Sequence, residues 1–297
     1  MLLSQKIERL MMKHDDSRRV VGSYLLREGT SIEGRSMQRI AEDTYTSKST
    51  LVRIAKQLGF AGWNPFIRSY LDELKYQASH FDTNTDHNIP FTETSSPKNI
   101  ADALCQVHME SAWQSNQNLD MDELLRAADT LRRAERVALF GISVNELLLK
   151  LLQRKLLTIG VQALMVPQAE HKLLAHSLTD RDCAVMVSYS GSGELRTPMN
   201  LIPILENHGT PIIALTSEGD NYLRQHAQSV LTIYSQERLY SKISTFSTEE
   251  SILYLLDCLF ALYFASDYQS NLAKKISTEK SIEINRQTSR NLLDNLD

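Results

Sequence analysis

The chain has 297 residues, enough for about two domains that each bury a hydrophobic core of their own. Its composition, 42% hydrophobic and 23% charged, excludes a disordered or collagen-like chain. With only 11 glycines and 7 prolines, the sequence also excludes an all-β protein rich in tight turns, so we expect helices to dominate.

The three cysteines, Cys105, Cys183 and Cys258, are far apart and belong to no CxxC pair or Cys/His cluster. This spacing supports neither a disulfide framework nor a zinc site, and we predict no metal and no cofactor. The N-terminus lacks the continuous apolar segment of a signal peptide, and the most apolar stretch, residues 251–265, is too short to span a bilayer. We therefore expect a cytoplasmic protein with no membrane partner.

Charge is distributed unevenly along the chain. Residues 1–80 carry a net charge of +4, whereas the remaining residues carry −8. The stretch from Thr44 to Leu71 contains no acidic residue but four basic ones. This surplus of positive charge predicts that the N-terminal part binds a polyanion.

The same N-terminal stretch predicts two short helices joined by a tight polar turn, which is a helix-turn-helix. Ser36 and Ser47 are suitable N-caps for the two helices, and an apolar stripe from Leu51 to Leu58 buries one side of the second. The polar residues of that second helix lie where a recognition helix contacts base edges and phosphates. The predicted DNA-binding residues are Ser47, Lys48, Ser49, Thr50, Arg53 and Lys56.

A further helix is predicted over residues 63–77, and the composition then changes. Residues 79–97 are polar, rich in Thr, Asn, Ser and Pro, and without periodicity, which is typical of a linker. We therefore predict a helix-turn-helix domain over residues 1–78, a linker over 79–97, a second domain over 98–267, and a polar C-terminal helix or tail over 268–297.

The second domain shows the rhythm of an α/β fold. Short runs rich in Val and Ile alternate with segments of helical length, and these runs are VALF, QALMV, CAVMVS, PIIAL and SVLTIY. Nearly continuous apolar strands separated by helices are typical of a parallel sheet covered on both faces. The sequence thus predicts an all-α domain followed by a three-layer α/β domain with a parallel five-stranded sheet.

Two loops at predicted strand ends, residues 141–145 and 188–193, combine small hydroxyl residues with glycine. Ligands of open α/β sheets bind at the carboxyl ends of the strands, where helix N-termini offer free amides to an anion. We predict a phosphate on the N-terminus of the helix after Ser190, although Ser and Gly also simply form turns. The predicted ligand-binding residues are Ser143, Asn145, Ser188, Ser190, Gly191 and Ser192.

Both regions resemble a known family. The segment SKSTLVRIAKQLGFAGWNPF resembles the helix-turn-helix core of RpiR-type bacterial transcription regulators. The segments VALFGISVN and VMVSYSGSGE resemble the sugar isomerase (SIS) domain of those regulators, a fold that binds phosphorylated sugars. The resemblance implies DNA contact for the residues of the second short helix, and phosphate contact for Ser188, Ser190, Gly191 and Ser192.

The sequence departs from the family pattern at both loops. Family members commonly have Gly and then Ser where this chain has Ser143 and Asn145, and Thr and then an acidic residue where it has Gly193 and Leu195. These differences predict an unusual sugar preference. A second domain that has lost sugar binding and only dimerises remains a competing interpretation.

These features together predict a transcription regulator of sugar metabolism genes, controlled by a phosphorylated sugar. A single helix-turn-helix contacts little DNA, so we expect a homodimer or homotetramer on duplex DNA with an inverted-repeat operator. The alternative is a sugar phosphate isomerase or lyase with a helical N-terminal appendage, for which Glu249, Glu250 and His171 are the candidate acids and bases. First-turn glutamates and a lone histidine are more often structural, so we expect no enzyme and assign no catalytic residue.

Overall fold

The structure is a computed structural model and describes residues 3–80 and 85–283, without the side chains of residues 76–80 and 283. The described helices are α1 Leu3–Lys13, α2 Ser17–Glu28, α3 Met37–Asp43, α4 Lys48–Gln57, α5 Trp63–His80, α6 Pro97–Gln117, α7 Met121–Arg133, α8 Val144–Leu157, α9 His171–Ser177, α10 Ile202–Asn207, α11 Tyr222–His226, α12 Phe246–Ala265 and α13 Tyr268–Glu283. The described strands are β1 Val137–Phe140, β2 Ala163–Leu164, β3 Cys183–Val187, β4 Ile212–Ser217 and β5 Ser229–Ile233.

The chain divides into two compact units, and both combine segments that are distant in sequence. The first unit contains Met1–Asn118, Ser217–Asp220 and Ile233–Ser251. The second contains Leu119–Thr216, Asn221–Thr232 and Ile252–Asp297. The first unit therefore includes α6, a short loop after β4, and the segment that leads from β5 into α12.

Helices α1 to α5 share one hydrophobic core within the first unit. The apolar stripe of α4, with Leu51 and Ile54 fully buried, packs into this core as its spacing predicts. The rings of Phe66 and Tyr70 stack with their centroids 6.0 Å apart, and the Tyr70 hydroxyl donates a hydrogen bond to the Leu25 carbonyl at 3.1 Å. Trp63, Phe66 and Tyr70 of α5 are thus core residues.

Helix α1 also binds the segment that follows β5. The Gln5 side-chain amide donates to the Glu237 carbonyl oxygen at 2.6 Å, and the Glu8 carboxylate accepts the Leu239 N–H at 2.6 Å. Glu237 in turn is 1% exposed, and its carboxylate accepts the Ser247 N–H at 2.6 Å, in the first turn of α12. Residues more than 230 positions apart in the sequence therefore form one polar network.

Part of the predicted linker packs within the first unit. His87 is buried and bonded to Glu110 of α6 at 2.8 Å. The Asn88 side-chain oxygen accepts the Arg238 N–H at 2.6 Å, so this asparagine binds the segment after β5. Polar composition alone suggested solvent exposure here, but these side chains satisfy backbone and carboxylate groups instead. Residues 81–84 of the predicted linker lie outside the described residues.

The second unit is built on a five-stranded sheet in the order β2-β1-β3-β4-β5. β1 pairs in parallel with β2 and with β3, and β3 pairs in parallel with β4. Strands β1, β3 and β4 are buried along their whole length, which explains why their sequences are nearly continuous apolar runs. The predicted fold class is confirmed, with β2 shorter than the run that indicated it.

The segment after β3 differs from its prediction. No helix begins directly after Ser190; Met199–Leu201 forms a 3-10 turn, and α10 begins only at Ile202. Gly191 and Gly193 have φ angles of +54° and +94°, which are incompatible with a helix. The helix after Ser190 therefore begins only at Ile202, and the phosphate position stays a prediction.

The C-terminal helices are α12 and α13, and the residues beyond Glu283 lie outside the described part of the chain. No single described helix is long and apolar enough to cross a membrane. The pair Phe246–Ala265 and Tyr268–Ile282 reaches that length and composition only when taken together, across a bend of 108°.

Candidate functional site

The helix-turn-helix is formed by α3, the turn at residues 44–47, and α4. The Thr44 hydroxyl donates to the Ile40 carbonyl at 2.6 Å, and the Thr46 N–H donates to the Ala41 carbonyl at 2.8 Å, so the turn is bonded back onto α3. Ser47 is the N-cap of α4, and its hydroxyl accepts the Thr50 N–H at 3.2 Å. These bonds fix the angle at which α4 leaves the turn.

The exposed face of α4 carries positive charge without neutralising partners. Lys48, Arg53 and Lys56 are exposed and form no ion pair with any residue that the structure describes. The arginines of α2 and α3 and of their flanking turns are instead paired: Arg18 with Asp16, Arg19 with Asp15, Arg27 with Glu28, Arg35 with Glu28 and Asp43, and Arg39 with Asp43. The free positive charge of the helix-turn-helix is therefore concentrated on α4, where the sequence placed it.

Two further details of this surface concern hydroxyl groups. The Ser49 hydroxyl lies 2.7 Å from that of Ser47, and the Thr50 hydroxyl lies 3.0 Å from it, so three hydroxyls cluster at the N-terminus of α4. Tyr45, at the tip of the turn, is 97% exposed with a φ of +50°. Tyr45 is not among the predicted DNA-binding residues, although its place in the tight polar turn exposes its side chain.

The second candidate site follows from the strand order of the sheet. The chain passes from β1 to β2 on one side and then to β3 on the other side of β1, so the winding direction reverses between β1 and β3. Phe140 at the end of β1 is in register with Met186 near the end of β3, so their following loops leave the sheet side by side. Open α/β sheets bind ligands in the crevice at this reversal.

The loop after β1 is tightly constrained. A Cβ atom at Gly141 would lie 2.9 Å from the Leu149 side chain and 3.2 Å from the Asn145 backbone, both in α8, so a larger residue would require these atoms to shift. Ser143 precedes α8 with φ +56° and ψ −130°, a conformation that favours glycine, and its side chain makes no capping hydrogen bond. The Asn145 amide donates to the Val187 carbonyl at 3.4 Å and so links this loop to the end of β3.

The loop after β3 contains the predicted serines. The Ser188 N–H donates to the Leu215 carbonyl at 3.0 Å, which continues the ladder to β4, and its hydroxyl accepts the Gly191 N–H at 3.3 Å. Ser188 therefore shapes the loop from within. Ser190 and Ser192 are half-buried, and neither hydroxyl bonds to any part of the chain that the structure describes. These two hydroxyls are available to a ligand.

Gly191 is held by residues that sequence reasoning missed. A Cβ atom at Gly191 would lie 2.0 Å from Asn221 Oδ1 and 2.5 Å from Thr216 Oγ1, and the Gly191 carbonyl accepts the Leu223 N–H at 2.9 Å. Thr216 is the penultimate residue of β4, and Asn221 follows in the next loop. The polar run TSEGDN directly after a buried strand was the available signal for these positions.

The candidate acids and bases of the alternative enzyme are engaged in structural contacts. His171 is 2% exposed and packs edge-on against the Phe140 ring, with the centroids 5.4 Å apart. Burial lowers the pKa of His171, which is therefore a neutral imidazole at pH 7. Glu249 and Glu250 lie in the first turns of α12, and Glu250 bonds to His108 Nδ1 at 2.9 Å. His171 belongs to the second unit and the two glutamates to the first.

His171 also lines a cavity of about 500 Å³ in the second unit, together with Gln168, Lys172, Thr197 and neighbouring residues. Thr197 belongs to the segment after β3, but Ser190 and Ser192 do not line this cavity. Within the described residues, no group of three or more His, Cys, Asp or Glu side chains could hold a metal ion.

Comparison with known protein families finds a match for an N-terminal and a C-terminal region of the chain. Residues 1–75 match the helix-turn-helix domain of the rpiR family, and residues 130–260 match the SIS domain. This combination defines a class of helix-turn-helix transcriptional regulators with a C-terminal sugar isomerase domain. The N-terminal match is to the rpiR family, and the relatives that the chain resembles include the regulator RpiR.

Individual relatives agree with this assignment. An uncharacterized HTH-type transcriptional regulator of Clostridium perfringens is 24% identical over 94% of this chain and 98% of its own length. The HTH-type transcriptional regulator RpiR of Escherichia coli K12 is 24% identical over 69% of this chain and 66% of its own length.

Two solved structures share the fold. NanR of Vibrio vulnificus, in complex with ManNAc-6P, covers 95% of this chain and 98% of its own, with a TM-score of 0.56 at 20% identity. The sugar isomerase domain of an RpiR transcription factor from Sphaerobacter thermophilus covers 61% of this chain and 98% of its own, with a TM-score of 0.52 at 16% identity.

Proposed function

We propose that this protein is an RpiR-type regulator that controls genes of sugar metabolism and that a phosphorylated sugar sets its affinity for DNA. Residues 1–78 form the DNA-binding domain, residues 79–97 the linker, residues 98–267 the SIS-like effector domain, and residues 268–297 a C-terminal extension. We place the protein in the cytoplasm as a homodimer or homotetramer, because two copies of α4 are needed to contact both halves of an inverted repeat.

The DNA-binding surface of this proposal is the exposed face of α4. Lys48 and Lys56 bind phosphates, and Arg53 contacts a base edge in the major groove. The clustered hydroxyls of Ser47, Ser49 and Thr50 at the helix N-terminus add contacts to base edges or to the backbone. Support comes from the absence of anionic partners for these cations within the described chain, which leaves them available to DNA.

The single observation that carries the effector site is the pair of unbonded hydroxyls at the point where the sheet reverses its winding. Ser190 and Ser192 donate to the phosphate, and Ser188 and Gly191 shape the loop around it. Because α10 begins only at Ile202, we place the phosphate at the N-terminus of α8, which is preceded by Ser143 and contains Asn145. NanR of Vibrio vulnificus, whose structure contains ManNAc-6P, supports a phosphosugar as the ligand class.

The proposal assigns no enzymatic activity to the chain. His171 lines a cavity but is 2% exposed and packs edge-on against an aromatic ring, and Glu250 is bonded to a histidine, so we assign neither as a catalytic base. The curated relatives are named as transcriptional regulators. Binding of the sugar changes DNA affinity only if it favours one arrangement of the DNA-binding domains over another.

A two-stage experiment on the full-length chain tests this function. Thermal shift measurements with a panel of phosphorylated sugars, each paired with its unphosphorylated sugar, identify a ligand that raises the melting temperature. Fluorescence anisotropy then measures binding to DNA from upstream of the protein's own gene, with and without that ligand. We expect a coupling of roughly 5-fold to 150-fold in DNA affinity.

The variant Ser190→Trp should lose the thermal shift and the ligand response while retaining ligand-free DNA binding. The matched control is Ser266→Trp, a change at an exposed serine between α12 and α13, which should respond as the wild type does. A Ser190→Trp protein that responds as fully as the Ser266→Trp protein would show that the effector binds elsewhere.

A further inference from the structure

Helix α1 separates its charges onto opposite faces. Glu8 is 3% exposed and turns inward, where its carboxylate accepts the Leu239 N–H at 2.6 Å. Lys6, Arg9 and Lys13 are all exposed, and their spacing of three and then four residues places them on one side of the helix. The charged residues on the outer face of α1 are therefore all basic.

These three cations differ from several other exposed cations of the same unit, although Arg68 is also unpaired within the described residues. Within residues 3–80 and 85–283, Lys6, Arg9 and Lys13 take part in no ion pair. Exposed cations nearby are neutralised instead: Arg19 by Asp15, Arg27 by Glu28 and Lys75 by Glu33. The protein thus leaves the α1 cations, like those of α4, without a carboxylate.

The basic face of α1 adjoins the end of the proposed recognition helix. Lys6, Arg9 and Lys13 line a cavity of about 340 Å³ whose opposite wall is formed by Gln57, Leu58 and Gly59. Gln57 lies four residues after Arg53, so it is on the same exposed face of α4. The unpaired charge of α4 therefore continues across this cavity onto α1.

We infer that Lys6, Arg9 and Lys13 bind the phosphate backbone of the DNA duplex beside the bases that α4 contacts. This inference rests on the proposed DNA-binding function and extends it to a second helix. From Lys6 to Lys13 the helix rises about 10 Å, and one strand of duplex DNA presents a phosphate roughly every 3.4 Å along its axis. The three side chains thus match the backbone of about three successive nucleotides.

Such contacts would position the protein on the duplex and would carry no sequence information themselves. The competing explanation is internal: cations near the C-terminus of α4 favour its exposed carbonyls and the negative end of the helix dipole. That role would appear in stability and leave the salt dependence of DNA binding unchanged. A single-stranded RNA is the other polyanion that a basic face could bind.

The test compares two triple variants of the full-length chain with the same change in charge. K6Q/R9Q/K13Q removes the α1 cations, and the control R19Q/R27Q/K75Q removes three exposed cations that are already paired. Binding to a labelled random-sequence duplex of about 30 base pairs is measured over a series of salt concentrations. Removing one lysine or arginine from a phosphate should reduce the slope of log K against log salt by about 0.9, and should weaken binding about eightfold at 0.1 M salt.

The inference predicts a smaller slope for the α1 triple variant and a wild-type slope for the control. Equal slopes for the two variants overturn it, as does a lower melting temperature of the α1 variant with an unchanged slope. Single-stranded RNA that competes at lower concentration than duplex DNA overturns the assignment to a duplex. If a K48Q/R53Q/K56Q variant keeps full duplex binding, the proposed function itself fails, which is a separate result.

Discussion

The α-carbon of Gly191 lies against the side chain of Asn221, so closely that a Cβ atom there would be 2.0 Å from Asn221 Oδ1. Asn221 is itself bonded, since its Oδ1 accepts the Arg224 N–H at 3.0 Å as the N-cap of α11. The loop after β3 and the start of α11 are therefore fitted together at one glycine, at the carboxyl end of the sheet.

We predict that Gly191→Ala destabilises the protein by about 2 kcal/mol and abolishes the response to phosphosugar, because the new methyl group displaces Asn221 and reshapes the serine loop. Gly193→Ala is a matched control. Gly193 also has a positive φ, but its Cβ would meet only the Arg196 side chain at 3.6 Å. Thermal melts of both variants measure the difference, and equal losses would contradict the steric explanation.

The backbone conformation of Ser143 is expected to lower the free energy of unfolding. Its φ of +56° with ψ of −130° belongs to a region in which a side chain is strained by roughly 1–3 kcal/mol. Ser143→Gly should therefore raise the free energy of unfolding by about 1 kcal/mol. Ser36→Gly, at an N-cap with φ −68°, should instead lower it by a few tenths. Urea unfolding measures both, and a Ser143→Gly protein no more stable than wild type would refute the argument.

The lowered pKa of Asp182 predicts that the stability of the protein depends on pH. Burial alone would raise its pKa, but hydrogen bonds from Arg136 at 2.9 and 2.7 Å, and from Thr179, outweigh burial and leave the pKa below its ordinary value. A carboxyl group with a lowered folded-state pKa stabilises the fold above its unfolded pKa of about 3.9, and this stability is lost as pH falls through the folded pKa.

Asp182→Asn should therefore reduce stability at pH 7 by about 2 kcal/mol and flatten the loss of stability below pH 5. Chemical unfolding between pH 7 and pH 3 provides the measurement. Asp180→Asn, at an exposed neighbour, serves as the control and should follow the wild-type pH profile. An Asp182→Asn protein with the wild-type pH profile would assign the acid sensitivity to other groups.

Glu237 is expected to be essential for the first unit. Its buried carboxylate accepts the N–H of Ser247 at 2.6 Å and the hydroxyl of Thr248 at 2.6 Å, and Lys242 lies 3.3 Å away. Glu237→Ala removes these acceptors and leaves buried donors unsatisfied, so we expect a loss of about 3 kcal/mol, with a smaller loss for Glu237→Gln. Glu93→Gln, at an exposed position, is the control. Melts in which all three variants match the wild type would contradict this role.

Most of the fold could be predicted from local sequence patterns, namely N-caps, helical periodicity and apolar runs. The N-cap Ser47 and the stripe that begins at Leu51 located α4 within one residue, because capping and periodicity act over a single helical turn. The buried run of β1, at residues 137–140, was equally readable because every residue in it faces a covered side of the sheet. The serines after β3 were recognisable from their motif.

What sequence reasoning missed depended on contacts between distant residues. The segment after Ser190 has helical composition, but two glycines with positive φ delay the helix to Ile202. Asn88 belongs to a stretch that reads as a linker, yet it binds the backbone of Arg238, 150 residues away. The exposed cations of α1 are unpaired, whereas the arginines of α2 form ion pairs. The sequence does not predict this difference, because it depends on the position of each carboxylate in the fold.

The bonds from α1 to the segment after β5 also bear on how the protein is made. Gln5 and Glu8 emerge early from the ribosome, whereas Glu237 and Leu239 follow 232 and 231 residues behind them. At 5–20 residues per second, the interval is about 10–50 s. A nascent or truncated chain that ends before this segment lacks the carbonyl and N–H groups that α1 binds in the finished protein. The first unit therefore acquires all its bonds only in molecules whose five-stranded sheet has already been synthesised.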